Sequence, residues 1–140
     1  MAYAADNPAV MYANWGQRVG AYLIDYVPIF VLELIGLITR NTFVLLLVGL
    51  ASLAWWIYNR SIVAGRTGQS LGKRTLNLRL ISENTGEPIG AGMAFARDIC
   101  HILDSLACYI GWLFPLWDAK RQTFADKIVS TVVIPESAKP

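Results

Sequence analysis

The chain has 140 residues, 55% hydrophobic and only 16% charged, which excludes a disordered segment, a charged coiled coil and a nucleic-acid arm. Its 12 basic residues against 10 acidic ones leave a net charge of +2, so charge placement carries more information than charge magnitude. Two Cys and one His exclude a disulfide scaffold and the common zinc patterns.

The apolar residues run together, as in a membrane protein. The opening segment, 1–16, holds no Lys or Arg, and no small-residue cleavage site follows the first apolar run. A cleaved signal peptide is therefore not expected. A first span is predicted over 17–38, where Val19–Ile38 carries two charges, Asp25 and Glu33. A second is predicted over 42–60, where residues 42–58 carry none. A crossing helix needs about 20 apolar residues. The two runs read as a helical hairpin that turns at Thr39-Arg40-Asn41.

Residues 61–91 read as a polar loop with β character. Thr75 to Leu80 alternates strictly between polar and apolar, the period of a half-buried strand. Ser82-Glu83-Asn84-Thr85-Gly86-Glu87-Pro88 is turn chemistry. Gly65 to Arg74 resembles a phosphate loop only superficially, because Thr67 and Arg74 stand where Gly and Ser or Thr are required. It reads instead as a basic turn whose Arg and Lys can meet anionic lipid.

A third apolar stretch, 92–117, is interrupted by Arg97, Asp98, His101 and Asp104. As one helix it would be about 39 Å long, against a hydrocarbon core of ~30 Å. It is either a single span or, the reading we favour, a re-entrant pair broken near Ala107–Gly111. The tail, 118–140, holds a second β-branched run at 130–134 that can pair with 75–81 if both lie on one side.

Aromatic rings sit where the runs stop: Tyr12 and Trp15, then Trp55, Trp56 and Tyr58, then Trp112 and Trp117. Rings at the headgroup level are expected there. Arg60, Arg66, Lys73, Arg74 and Arg79 crowd the middle segment, whereas the 39–41 turn has Arg40 alone. The positive-inside rule puts the middle segment and the N-terminus in the cytoplasm. A re-entrant third stretch returns Lys120, Arg121, Lys127 and Lys139 to the same side. The predicted architecture is an all-α membrane protein: a transmembrane hairpin, a third span or re-entrant pair, and a small cytoplasmic β-hairpin or sheet.

Ionisable groups at bilayer depth are expensive and usually have partners. Arg18, Tyr22, Asp25 and Glu33 share one helical face, and Arg97, His101, Asp104 and Cys108 share another. The segments Arg18–Asp25 and Arg97–Asp104 have nearly the same pattern: Arg, three residues, an aromatic ring, two branched aliphatics, Asp. Antiparallel packing would cross-pair them. We expect Arg18 to meet Asp104 or another downstream acid such as Asp118 or Asp126, and Arg97 to approach Asp25. Asp98 and Glu33 are then left to water or the interface. Minor features are a GxxxG at Gly16–Gly20, a helix-kinking Pro28, and Cys100 and Cys108 too far apart to bridge within one helix. No catalytic set, metal box or cofactor fingerprint is present, so neither enzyme activity nor a cofactor is expected.

Three ordered motifs complete the reading. They are Trp15-Gly-Gln-Arg18-Val-Gly-Ala-Tyr-Leu-Ile-Asp25, Gly68-Gln-Ser-Leu-Gly-Lys-Arg74, and Trp117-Asp118 through Asp126 to Thr131-Val-Val-Ile134. Together they resemble the RDD family of small integral membrane proteins over about residues 12–134. Arg18 and Asp25 match the family's Arg and first Asp, and Asp126 matches the second Asp better than Asp118 does. The resemblance implies a multi-pass protein of a bacterial-type inner membrane. It implies one of two roles. One is cation and proton exchange, with Asp25 as carrier and Asp104, Glu33 and His101 as relay candidates. The other is an accessory subunit whose partner is another membrane protein or a second copy, with the same residues as buried pairs.

Overall fold

The first two apolar runs become helices where an Asn supplies the cap. A computed structural model describes residues 9–138; residues 1–8 and 139–140, Lys139 among them, lie outside the described part. Asn14 and Gln17 form a reciprocal capping box that starts α1, Trp15–Thr39. Arg40 ends it in the left-handed region at φ 51°. Asn41 then accepts from the backbone N–H groups of Phe43 and Val44 and starts α2, Thr42–Trp56.

The second helix does not stop near residue 60 as expected. It runs unbroken from Thr42 to Thr67 through a π-helical stretch, Ile57–Val63, and a last turn, α3 (Ala64–Thr67). Gly68, at φ 78°, ends it in the conformation that only glycine adopts without strain. At 25 and 26 residues, both long helices exceed the thickness of a hydrocarbon core. Only 22% and 17% of their most apolar windows are buried in protein. Leu23, Phe30, Leu37, Phe43, Leu46 and Leu50 all point outward, a surface that suits lipid.

The expected strand starts three residues late. Ser70 caps a short helix, α4 (Leu71–Thr75), which takes Thr75 out of the alternating run, and Asn77 breaks the chain at φ 52°. Strand β1 is Leu78–Ser82. Its partner does not come from within 61–91, so there is no local hairpin. It comes from the tail: β2, Thr131–Pro135, pairs antiparallel with it, Leu80 opposite Val133 and Ser82 opposite Thr131. Both faces of this two-stranded sheet are covered. Leu78, Leu80 and Val133 pack with Ala13 and Ala21, whereas Ile81, Val132 and Ile134 pack with Val10 and Tyr12. The backbone N–H of Ala13 donates to the Val133 carbonyl at 2.9 Å, which anchors the entry to α1 on the sheet.

Between the strands the chain goes out and comes back. Helix α5 (Ala91–Leu106) ends at two left-handed residues, Cys108 and Tyr109, with φ 54° and 62°. The next helical piece, α6 (Ile110–Leu113) with a 3-10 turn to Leu116, is bent by 108° from it. Helix α7 (Phe124–Ile128) then returns along α5 and leads into β2. The result is a mostly helical membrane body with one small sheet, and the third stretch is a bent pair rather than one straight helix.

Candidate functional site

Where the sheet meets the long helices, buried acids collect almost every nearby donor. Asp25 on α1 is the first. Its Oδ1 accepts from Asn59 Nδ2 and the Gly72 N–H, and its Oδ2 from Ser70 Oγ, all at 2.7 Å. Arg60 Nη1 stands 3.7 Å from the same carboxylate. The π-helical stretch makes this possible. It buries three consecutive residues, Asn59, Arg60 and Ser61, where a regular helix turns 100° per residue. Gly72 is required here because a Cβ would collide with the Ala21 backbone.

Arg60 spends its guanidinium on Asp98. Nε and Nη2 donate to the two carboxylate oxygens at 3.2 and 2.8 Å, a bidentate pair. The guanidinium also lies 5.1 Å from the Tyr22 ring centre and 6.0 Å from that of Trp56.

Asp126 is the second acid to draw on several elements. Arg18 of α1 and Arg97 of α5 both bind it, Arg97 through Nε and Nη2 at 2.7 Å. Thr131 Oγ1 and the Thr123 N–H add hydrogen bonds at 3.1 Å. Burial opposes ionisation of this carboxyl, but the two arginines outweigh it and hold it well below the usual carboxylate range.

Asp104, also fully buried, accepts from the Phe124 N–H at 3.0 Å and meets His101 Nδ1 at 2.5 Å. The His101 ring stacks on Trp112, 4.5 Å between centres. Trp112 donates to Ser105 Oγ, and Trp15 donates to the Trp112 carbonyl.

The expected crossed pairing is therefore half replaced. Arg18 does reach a downstream acid, Asp126. Arg97 does not approach Asp25; it shares Asp126 with Arg18, because α7 packs on α5 while the donors of Asp25 come from the π-helical stretch and α4. Asp98, expected at water or the interface, is buried on Arg60. Glu33 lies apart on the exposed side of α1, with Ser52 Oγ donating to it at 3.1 Å. Asp118 organises the turn before α7, taking Lys127 at 2.7 Å and the N–H groups of Lys120 and Gln122. Lys73, which reads as a surface residue in the sequence, is buried.

Sequence reasoning does not single out Asn59, Arg60, Ser70 and Lys73 as site residues. The available signal is the short apolar run Ile62-Val-Ala64 beyond Arg60, which is consistent with a helix that continues past it, as it does in the structure.

In front of these acids lies a cavity of about 410 Å³. Arg18, Arg60, Lys73, Arg97 and His101 line it, and no carboxylate does. Burial first, then the charges of Arg60 and Arg97, push the Lys73 ammonium down to about 7, against smaller opposing effects of Asp25 and Asp98. Among the described residues there is no cluster of three or more side chains that would hold a metal ion.

The model of a known family, the RDD family, matches residues 12–130, a range that includes Arg18, Asp25 and Asp126. The chain belongs to the RDD family. It is a membrane protein of that family, with two long apolar helices and a bent pair. Curated relatives include a "Proline-rich antigen homolog" of Mycobacterium tuberculosis, 37% identical over 156 residues, found in two strains. A "Proline-rich antigen" of Mycobacterium leprae is 38% identical over 162 residues. Each alignment covers 91% of this RDD chain, which spans 65% of the M. tuberculosis relatives and 63% of the M. leprae one. No solved structure matches it.

Proposed function

We propose that this RDD protein is a non-catalytic accessory module of the cell membrane, one that supports another membrane protein instead of carrying an ion itself. The observation that supports this reading is the saturation of its buried acids. Asp25, Asp98, Asp104 and Asp126 each accept at least two hydrogen bonds from groups held in place by the fold, those of Asp98 both coming from Arg60. A carrier for a cation or proton needs a carboxylate that can exchange partners. Here removing a partner strands a buried charge, which is strongly unfavourable. The basic lining of the cavity also repels a metal cation.

In this reading the N-terminus and the sheet face the cytoplasm. Arg66, Arg74, Arg79, Lys120, Arg121 and Lys127 cluster around the sheet end of the long helices, while the hairpin turn carries Arg40 alone.

Purified protein in sealed vesicles tests the reading. We expect no sodium, potassium or proton flux above that of protein-free vesicles, and a stoichiometric membrane-protein partner after cross-linking in cells. Flux that disappears in Asp25→Asn would establish cation and proton exchange instead.

A further inference from the structure

The cavity poses a charge problem that the acid network does not solve. Three of its four Arg and Lys side chains have counter-ions: Arg18 and Arg97 share Asp126, and Arg60 holds Asp98. Those acids contribute nothing to the lining itself. Lys73 is different. It is 8% exposed, it lines the cavity, and among the described residues its ammonium forms no ion pair. Arg60 and Arg97 add their repulsion to the cost of burying it, and Asp25 and Asp98, tied down by other donors, offset that cost only in part. A buried cation without a partner is a costly arrangement that a bound anion would relieve.

Most of the rest of the wall is apolar or aromatic, with Trp15, Val19, Tyr22, Trp112, Leu78 and Val133 beside the hydroxyls of Ser105 and Thr123. A volume of about 410 Å³ is of the size that holds a small organic ligand. Such a wall suits hydrocarbon next to the charge and is a poor match for a bare hydrated ion.

We propose that this cavity binds an oxyanion carried on an apolar body, with Lys73 contacting the anionic group and the aromatic wall holding the adjoining hydrocarbon. The phosphate of an anionic membrane lipid and a free phosphate share the head chemistry; the apolar wall favours the lipid. The proposal goes beyond the accessory role and does not depend on it, because its test measures neither flux nor a protein partner.

The test uses the whole chain in detergent, titrated with phosphatidylglycerol or phosphatidylcholine bearing brominated acyl chains, or with inorganic phosphate. Trp15 and Trp112 line the cavity, so brominated lipid bound there quenches their fluorescence. Phosphatidylglycerol should quench saturably and bind about tenfold more tightly than phosphatidylcholine, the effect of one charge-assisted contact. Lys73→Gln should abolish that preference and Lys73→Arg should retain it. Replacing the exposed Arg66 and Arg74 by Gln should leave it unchanged. If Lys73→Gln fails to fold, persistence of the wild-type preference in the Arg66 and Arg74 variant decides the matter. Equal binding of the two lipids would overturn the proposal. So would a preference that follows Arg66 and Arg74, or protection by inorganic phosphate equal to that by lipid, which would assign the cavity to a free anion.

Discussion

Asp126 is one carboxylate shared by two guanidinium groups from helices 79 residues apart in sequence, Arg18 and Arg97. Asp126→Asn leaves both arginines without their counter-ion in a buried site, a change expected to cost about 3–5 kcal/mol. Asp118→Asn removes a pair whose Lys127 is exposed and should cost about 1 kcal/mol or less. Thermal unfolding in detergent compares them, and equal losses would mean that Asp126 does not tie the helices together. Lys73 makes a pH-dependent prediction. Unfolded, it titrates at its ordinary 10.5; folded, near 7, with Arg60, Arg97, Asp25 and Asp98 as the charges around it. Between those values the unfolded chain binds the extra proton, so this group makes stability rise with pH, by up to ~1.4 kcal/mol per unit. Below pH 7 both states carry the proton and the full cost of the buried charge is present. In detergent without anionic lipid, Lys73→Met should be more stable than wild type at about pH 6 and should lack that rise. Parallel pH profiles of the two proteins would refute it.

At the scale of elements, close backbone contact decides what the helices can do. Helix α4 lies against α1 at Gly72, where an added Cβ would meet the Ala21 carbonyl, and the Gly72 N–H donates to Asp25. Gly72→Ala should therefore destabilise by about 1–3 kcal/mol and loosen Asp25 from its donors. At Gly49 of α2 an added Cβ would meet nothing within 4 Å, so Gly49→Ala should be neutral or stabilising by about 0.5–1 kcal/mol. Opposite signs in a melting experiment are the expected result; a stable Gly72→Ala would mean that α4 can shift away without loss. The π-helical stretch Ile57–Val63 works in the same way, by turning Asn59 and Arg60 together toward the interior.

For the whole molecule, the pairing of β1 with β2 controls topology. The two strands are separated by α5, the 108° bend and α7, and they meet in register from Leu78–Pro135 to Ser82–Thr131. A stretch that crossed the membrane once would part them. Single cysteines at Ser82 and Ser137, in a background with Cys100 and Cys108 replaced, should label from the same side of inverted vesicles. Labelling from opposite sides would require the sheet to come apart in the membrane.

The two long helices, the turn between them and the β-branched runs are legible in the sequence because each rests on local information. Asn14 and Asn41 cap helices through neighbours three residues away or fewer, and apolar runs report on lipid wherever they fold. The turn-back after Leu106 is legible from charge placement, because Lys120, Arg121 and Lys127 reach the side of the basic middle segment only if the stretch folds back. Partner choice is not legible. Whether Arg97 meets Asp25 or Asp126, and whether Asp98 meets water or Arg60, depends on which helices pack together and on one π-helical stretch that rotates Arg60 inward. The same holds for Lys73, which follows Gly72 and reads as a surface residue until Ala21 presses against that glycine and α4 carries the lysine into the cavity. Charge attraction falls off slowly and has no sequence period, so the buried pairs are selected by packing, and only the tertiary structure decides them.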